Sequence, residues 1–189
     1  MTKHTVQTMT STPTDAGTGT RPASPLASPD LQASILRTIA RKTFCTLATT
    51  SPAGRSHSAG VVYDAVDGTL WVHASAASRK ARSIAANPSV GVCIPYRRLP
   101  VGPPFTIHFQ ATAELVAMDD PVIRRLLDAG KLGSIAGHGA LDMPDGCFIA
   151  IRPTGTIHSY GPGARIIDLI RDPLNSGARH FPIQPAGPR

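Results

Sequence analysis

Acidic residues, aromatic rings, cysteines and long apolar runs are all scarce in this sequence. Its 189 residues include 12 Asp and Glu against 19 Lys and Arg, three Cys, five Phe, three Tyr and one Trp. No segment approaches the roughly 20 consecutive apolar residues of a helical membrane span, so no membrane association is expected. The first 21 residues hold no apolar core of the secretory-signal type. Cys45, Cys93 and Cys147 are odd in number, far apart and in no C-x-x-C pair. That spacing argues against a disulfide framework or a cysteine zinc site and for a reducing, cytoplasmic setting. The seven histidines show no H-E-x-x-H or H-x-x-x-H spacing on a helix, so no metal site is expected. No G-x-S-x-G nucleophile elbow is present either, and Gly161-Pro162-Gly163 reads as a turn.

The basic excess is concentrated. Residues 1–30 carry Lys3 and Arg21 against Asp15 and Asp30, and residues 99–189 carry eight basic and eight acidic groups. The whole net charge of +7 therefore falls between Arg37 and Arg98, where nine basic residues meet only Asp64 and Asp67. From Arg79 to Arg98 there is no acid at all. A nucleic-acid tail would place such charge in a flexible arm, and here the arm is neutral. No aromatic stacking platform interleaves with the cluster in the way single-strand binding needs. No nucleic-acid partner is expected.

Composition and periodicity divide the chain. Residues 1–29, rich in Thr, Ser, Pro and Gly, are expected to be a disordered arm, because they lack the apolar side chains that offset ordering entropy. Asp30 reads as the N-cap of a helix over 31–42, with Leu31, Ile35, Leu36 and Ile39 on one face. Alternation then predicts strands at 44–50, 56–63 and 69–75, with an Asp-Gly turn at 67–68. Ser78 reads as the cap of a short helix, RKARSIAAN, whose buried face is Ala81, Ile84 and Ala85 and which Asn87-Pro88 ends. Further strands are predicted at 89–96, 105–115, 147–153 and 154–161, with a helix over 119–129 and a Gly-rich loop from Gly130 to Gly146. Strands joined mostly by short turns favour an antiparallel barrel over a parallel sheet. The expected class is mainly β with flanking helices (α+β). The core domain spans 30–161, and 162–189 forms a C-terminal extension with one short apolar piece, ARIIDLI.

The feature richest in chemistry is Ser78-Arg79-Lys80, which opens a helix straight after a strand. Free N–H groups and the positive end of the macrodipole lie there, so two cations in the first turn are unfavourable unless an anion binds. Arg offers a fork for two phosphate oxygens and Lys a mobile point charge. A solvated basic helix face is the plainer alternative. For the histidines on predicted strands, His57, His73, His108 and His158, a structural role is the default, and His73 alone has a better case, from its position beside the Ser-Arg-Lys turn. Trp71 reads as core or interface, and the cysteines as small buried hydrophobes.

The run WVHASAASRKARSIAANPSVGVCI, with the hairpin segment FCTLATTSPAGRSHSAGVVYDAVDGTLWVHAS before it and ATAEL (111–115) after it, resembles the pyridoxamine 5'-phosphate oxidase-like flavin-binding split barrels. The likeness covers roughly residues 31–160 and is nearest to actinobacterial-type members. It implies an antiparallel split β-barrel that forms a homodimer, with FMN, or alternatively the deazaflavin coenzyme F-420, at the subunit interface. By this resemblance Arg79 and Lys80, with Ser78, match the grip on the cofactor phosphate. His73 and Ala74 match the pair that lies along the flavin, and Ser58, Ala59, Gly60 and Val61 the segment beneath its ring. Arg82, Arg97 and Arg98 would suit the anionic tail of a deazaflavin.

Two positions depart from the family pattern: Ser58 stands where it has Arg, and Thr106 where it has Gln. The chain also ends in HFPIQPAGPR without the Arg-Leu-x-Pro of the vitamin enzyme. The expectation is therefore a flavin- or deazaflavin-dependent oxidoreductase acting on a small organic molecule, and not the vitamin B6 oxidation itself. A non-catalytic flavin-binding module of the same fold is the alternative. The cofactor would carry the chemistry, so no catalytic residue is assigned.

Overall fold

A computed structural model describes residues 24–97, 104–137, 139–172 and 176–183. The arm up to residue 23, Arg98 with most of the Pro/Gly loop, His138 and residues 184–189 lie outside the described residues.

The helix α1 (Pro29–Arg41) precedes the strands β1 (Phe44–Thr50), β2 (Ser56–Val62), β3 (Asp64–Val66) and β4 (Thr69–Ser75). Next come α2 (Arg79–Ala86), β5 (Ser89–Tyr96), β6 (Phe105–Ala117) and α3 (Pro121–Asp128). After a short 3-10 turn at Ala140–Asp142, the chain closes with β7 (Gly146–Tyr160), α4 (Ile166–Arg171) and β8 (Ala178–Pro182). All pairings between these strands are antiparallel, in the order β2-β1-β5-β6-β7-β4-β3, with β8 beside the second half of β7. β2 and β3 lie at opposite edges of this sheet, yet only Tyr63 separates them in sequence. The sheet must therefore curl until its two edges meet, and β2 comes to lie beside β4. This is the expected split barrel.

The interior follows from strand alternation. Leu47, Ile94, Ile107, Ile149 and Ile151 point inward and are almost fully buried, and Ile35 and Ile39 of α1 with Ala81 and Ile84 of α2 join the same core. Each of these Leu and Ile side chains contributes roughly 1.5–3 kcal/mol when removed from water. A second, smaller core forms on the outer face of β4 and β7. There Trp71, Phe148 and Ala150 pack under Ile123 of α3 and under Leu132 and Ile135.

Several local expectations are corrected. Ser28, not Asp30, caps α1: its Oγ accepts from the Leu31 amide at 3.4 Å, and Pro29 supplies the fixed φ of a first helical residue. Asp30 instead sits in the first turn, where a negative charge suits the helix dipole. The ordered chain thus begins before residue 30, with Ala27 buried and Leu26 bridged to His180. Leu36 is 49% exposed rather than part of the buried face, and Ser83 takes the buried place expected for Ala85. Residues 64–66 form a strand of their own, and the Asp-Gly turn (Asp67 φ 49°, Gly68 φ 78°) joins it to β4. The expected strand pair at 147–161 is one 15-residue strand. Its register against β6 shifts at Phe109/Gln110, and Gly155 at φ 69° lets it bend without breaking. β8 lies where only loop was expected.

Candidate functional site

The turn between β4 and α2 is fixed before the helix begins. Ser75 Oγ donates to Asp145 Oδ2, the Ala77 amide donates to Ser75 Oγ at 3.1 Å, and the Ala76 amide donates to the Asp145 carbonyl. The Ser75 hydrogen bond holds the Asp145 carboxyl below its ordinary range. Ser78 then caps α2, its Oγ accepting from the Ala81 amide at 3.3 Å, and no acid lies in the first turn.

Arg79 and Lys80 diverge from this start, as successive residues on a helix must. Arg79 is exposed and lines a cleft of about 740 Å³ between α2 and the β1–β2 turn, together with Arg82, Arg55 and His57. Arg82 Nη1 donates to the Ala77 carbonyl at 2.6 Å, and no carboxylate lines the cleft. Three guanidinium groups sharing a cleft without a counter-charge repel one another and are stabilised by any anion that enters. Deeper on the same side, Thr49 and His57 oppose each other across β1 and β2. Thr49 Oγ1 and His57 Nδ1 are both buried without a hydrogen-bond partner, a costly state for polar atoms that a ligand or water would relieve.

Lys80 turns the other way, toward His73 on β4. The His73 pKa is lowered by burial and, secondly, by the charge of Lys80, so the ring is neutral at neutral pH. Its Nε2 is buried and unpaired, and its ring stands edge-on to Phe148 at 5.3 Å. Gly146 makes this packing possible, because a Cβ there would lie 2.9 Å from His73 Nε2.

The four matched residues of β2 divide by parity. Ser58 and Gly60 lie on the outer face, opposite Ala48 and Thr46, whereas Ala59 and Val61 turn inward. Ala74 is also inward and buried, so of the pair on β4 only His73 offers a side chain to the outside. Gly60 leaves room for the Phe44 ring, since a Cβ would lie 2.9 Å from Phe44 Cζ; that ring is itself 49% exposed. The structure thus brings Arg79 to the arginine cleft and Lys80 to His73, and it places Ser58 in a separate outer groove with His108 and Gln110.

Arg55, His57 and Thr49 were not legible as site residues. Nothing local marks them: the β1–β2 hairpin lying beside α2 brings Arg55 and His57 to the cleft, with Thr49 opposite His57 across the strands. Alternation alone could have paired Thr49 with His57 on the inner face, but not α2 with either. Cys93, expected to be buried, is half-buried on the outer face.

Comparison with solved structures gives the same fold. The heme storage protein HutZ of Vibrio cholerae matches with 18% identity and a TM-score of 0.56 over 67% of this chain and 92% of that one. A heme binding protein of Mycobacterium smegmatis matches with 18% identity and a TM-score of 0.61 over 74% and 57%. A FAD-binding protein of Mesorhizobium loti matches with 16% identity and a TM-score of 0.54 over 68% and 90%. These identities support the shared fold alone. No curated protein sequence matches the chain. The family model described as pyridoxamine 5'-phosphate oxidase matches residues 31–158, from α1 almost to the end of β7. With the curled sheet and the capped Ser-Arg-Lys turn already in place, that match makes the chain a member of the pyridoxamine 5'-phosphate oxidase family of split barrels.

Proposed function

We propose that this protein is an oxidoreductase that binds FMN at the interface of a homodimer and moves hydride or electrons to or from a small organic substrate. The observation that carries this reading is the uncompensated arginine cleft beside the capped start of α2. A phosphate there would meet the Arg79 guanidinium, with Arg55 and Arg82 close by. The second support is His73, a neutral imidazole with an unpaired buried nitrogen on the strand that leads into the cleft's helix. Such a nitrogen suits a hydrogen bond to the polar edge of a flavin ring. The Phe44 ring fills the space over Gly60 and is itself half exposed, which offers an aromatic surface on the outer face.

When bound, the flavin supplies the hydride chemistry; the protein supplies position and charge. Arg79 and Lys80 fix the cofactor along α2 and β4. His73 stays neutral, so it adds no charge at the ring. Ser58, in place of the family's Arg, leaves the outer face without a cation at that point, which suits a substrate other than the phosphorylated vitamin.

The deazaflavin is favoured as a second reading by one observation: three guanidinium groups exceed what a single phosphate needs, and an anionic tail would use the surplus. Titration of Arg79→Ala/Lys80→Ala with FMN tests the first reading. Each charge-assisted hydrogen bond lost costs about 1.5–3 kcal/mol, so affinity is expected to fall by at least roughly tenfold per residue with the circular dichroism spectrum unchanged. Unchanged affinity refutes it. A loss on Arg55→Ala or Arg82→Ala that is much larger for the deazaflavin than for FMN favours the tailed cofactor. Turnover with a reductant separates the enzyme from a binding module.

A further inference from the structure

β4 pairs with β7 from Ser75↔Gly146 only as far as Leu70↔Ile151. Beyond that point β7 bends at Gly155 and pairs with β8 from Thr156 onward, while the β3–β4 hairpin runs on to its turn at Asp67-Gly68. A wedge therefore opens between the hairpin and the second half of β7. α1 closes one side of it. Ile183, whose amide donates to the Gly155 carbonyl at 2.8 Å, closes another.

The wedge is a pocket of about 570 Å³, within the range of roughly 300–1,000 Å³ usual for small-molecule sites. Its floor is apolar, since Ile39, Leu70 and Ile157 are all buried core residues. Leu36 and Ala40 form the α1 wall and are exposed, so the apolar stripe of the helix runs past the part that the barrel covers. Any apolar body that displaces water from such a wall is stabilised there. The pocket shares no residue with the arginine cleft, so a ligand here is independent of the cofactor reading.

The charges at the rim leave one sign unmatched. Two charged residues line the pocket, Asp67 and Arg152. Arg152 is turned to β6, where its Nη2 donates to Glu114 Oε1 at 3.0 Å, so its charge is already met. The Asp67 carboxylate has no ion pair or hydrogen-bond partner among the described residues. Asp64, on the same hairpin, does not line the pocket and accepts from the Ser134 and Ile135 amides. Arg37 and Arg41 are exposed on the side of α1 opposite Ile35 and Ile39, and neither lines the pocket. The rim thus presents a single unmatched negative charge beside an apolar floor.

We propose that this pocket binds a small cationic amphiphile: an apolar body of up to roughly two fused rings carrying one ammonium group. The body lies over Ile39, Leu70 and Ile157 against the Leu36 wall, and the ammonium stands at Asp67. Burial of the body supplies most of the affinity, and the carboxylate at the exposed rim supplies the choice of charge.

Backbone amide NMR of the full chain, titrated with 1-naphthylmethylamine, 1-naphthylmethanol and 1-naphthoic acid, tests this. The amine is expected to shift the amides of Leu36, Ala40, Gly68 and Thr69 saturably. It should bind about two- to fivefold more tightly than the alcohol, the range of an exposed ion pair, and the acid should bind more weakly than either. Asp67→Asn keeps a residue type that tolerates the positive φ of this turn, and should bring amine and alcohol to equal affinity. Ala40→Trp fills the pocket from its exposed wall and should abolish binding of all three probes. No saturable shift at these amides in the unaltered chain overturns the proposal and leaves the pocket to another occupant, the chain beyond Ile183 or a second copy. Acid bound as tightly as amine, or an amine preference that survives Asp67→Asn, overturns the charge assignment and with it the ligand class. Binding that persists in a folded Ala40→Trp variant places the site elsewhere and overturns the proposal as well. If that variant does not fold, the order of the three probes on the unaltered chain still decides.

Discussion

Arg79 and Lys80 adjoin in sequence but diverge in space, and much of the site's chemistry follows from that. Arg79 joins Arg55 and Arg82 in a cleft, while Lys80 stands near His73 and helps to keep it neutral. NMR titration of His73 is expected to give a midpoint below about 6.5, the ordinary imidazole value. Lys80→Gln should raise that midpoint only part of the way, because burial is the larger cause and remains. A midpoint at or above the ordinary value would contradict this picture. Since its folded-state pKa is the lower one, His73 contributes stability that is present above about 6.5 and lost as pH falls through the folded value. At this scale the Ser-Arg-Lys turn was readable, because a cap and its helix lie within a few residues of each other. Arg55 and Thr49 were not, because their relation to α2 is made only by the curl of the sheet.

Among the elements, α1 and the barrel seam are tied by one hydrogen bond. Tyr63, the single residue between β2 and β3, is fully buried, and its hydroxyl donates to the Ile39 carbonyl at 2.8 Å. That carbonyl lies in the last turn of α1, where helix carbonyls have no partner of their own. Tyr63→Phe is expected to keep the fold and to lower stability by about 1–3 kcal/mol, read from urea denaturation. No change would mean that the seam does not depend on this bond. β8 is the element the sequence concealed. Its residues, ARHFP, alternate weakly and end in Pro, so only its pairing with β7 makes it a strand. Phe181 is nonetheless 3% exposed in the main core, and Phe181→Ala should cost about 3–5 kcal/mol in the same assay. A loss well below 1 kcal/mol would show β8 to be dispensable.

At the largest scale the described strands form a single sheet whose edges are joined through Tyr63, and alternation made most of them legible beforehand. β6 shows why: Phe105, Ile107, Phe109, Ala111 and Ala113 are all buried while most residues between them are not. What periodicity could not supply was closure, since β3 is three residues long and too short to show a pattern. The basic excess also acquires a place at this scale. Of the nine basic residues from Arg37 to Arg98, three surround one cleft and a fourth lies near His73, at the two ends of the α2 start. Among the described residues no helix is long and apolar enough to cross a membrane. Much of the charge is thus gathered around the start of α2. The most direct measurement is the visible spectrum of the purified protein followed by equilibrium titration with FMN and with the deazaflavin. Saturable binding of a flavin-type cofactor at one per chain, weakened by Arg79→Ala/Lys80→Ala, is the expected result. Binding of neither cofactor would contradict the proposed function.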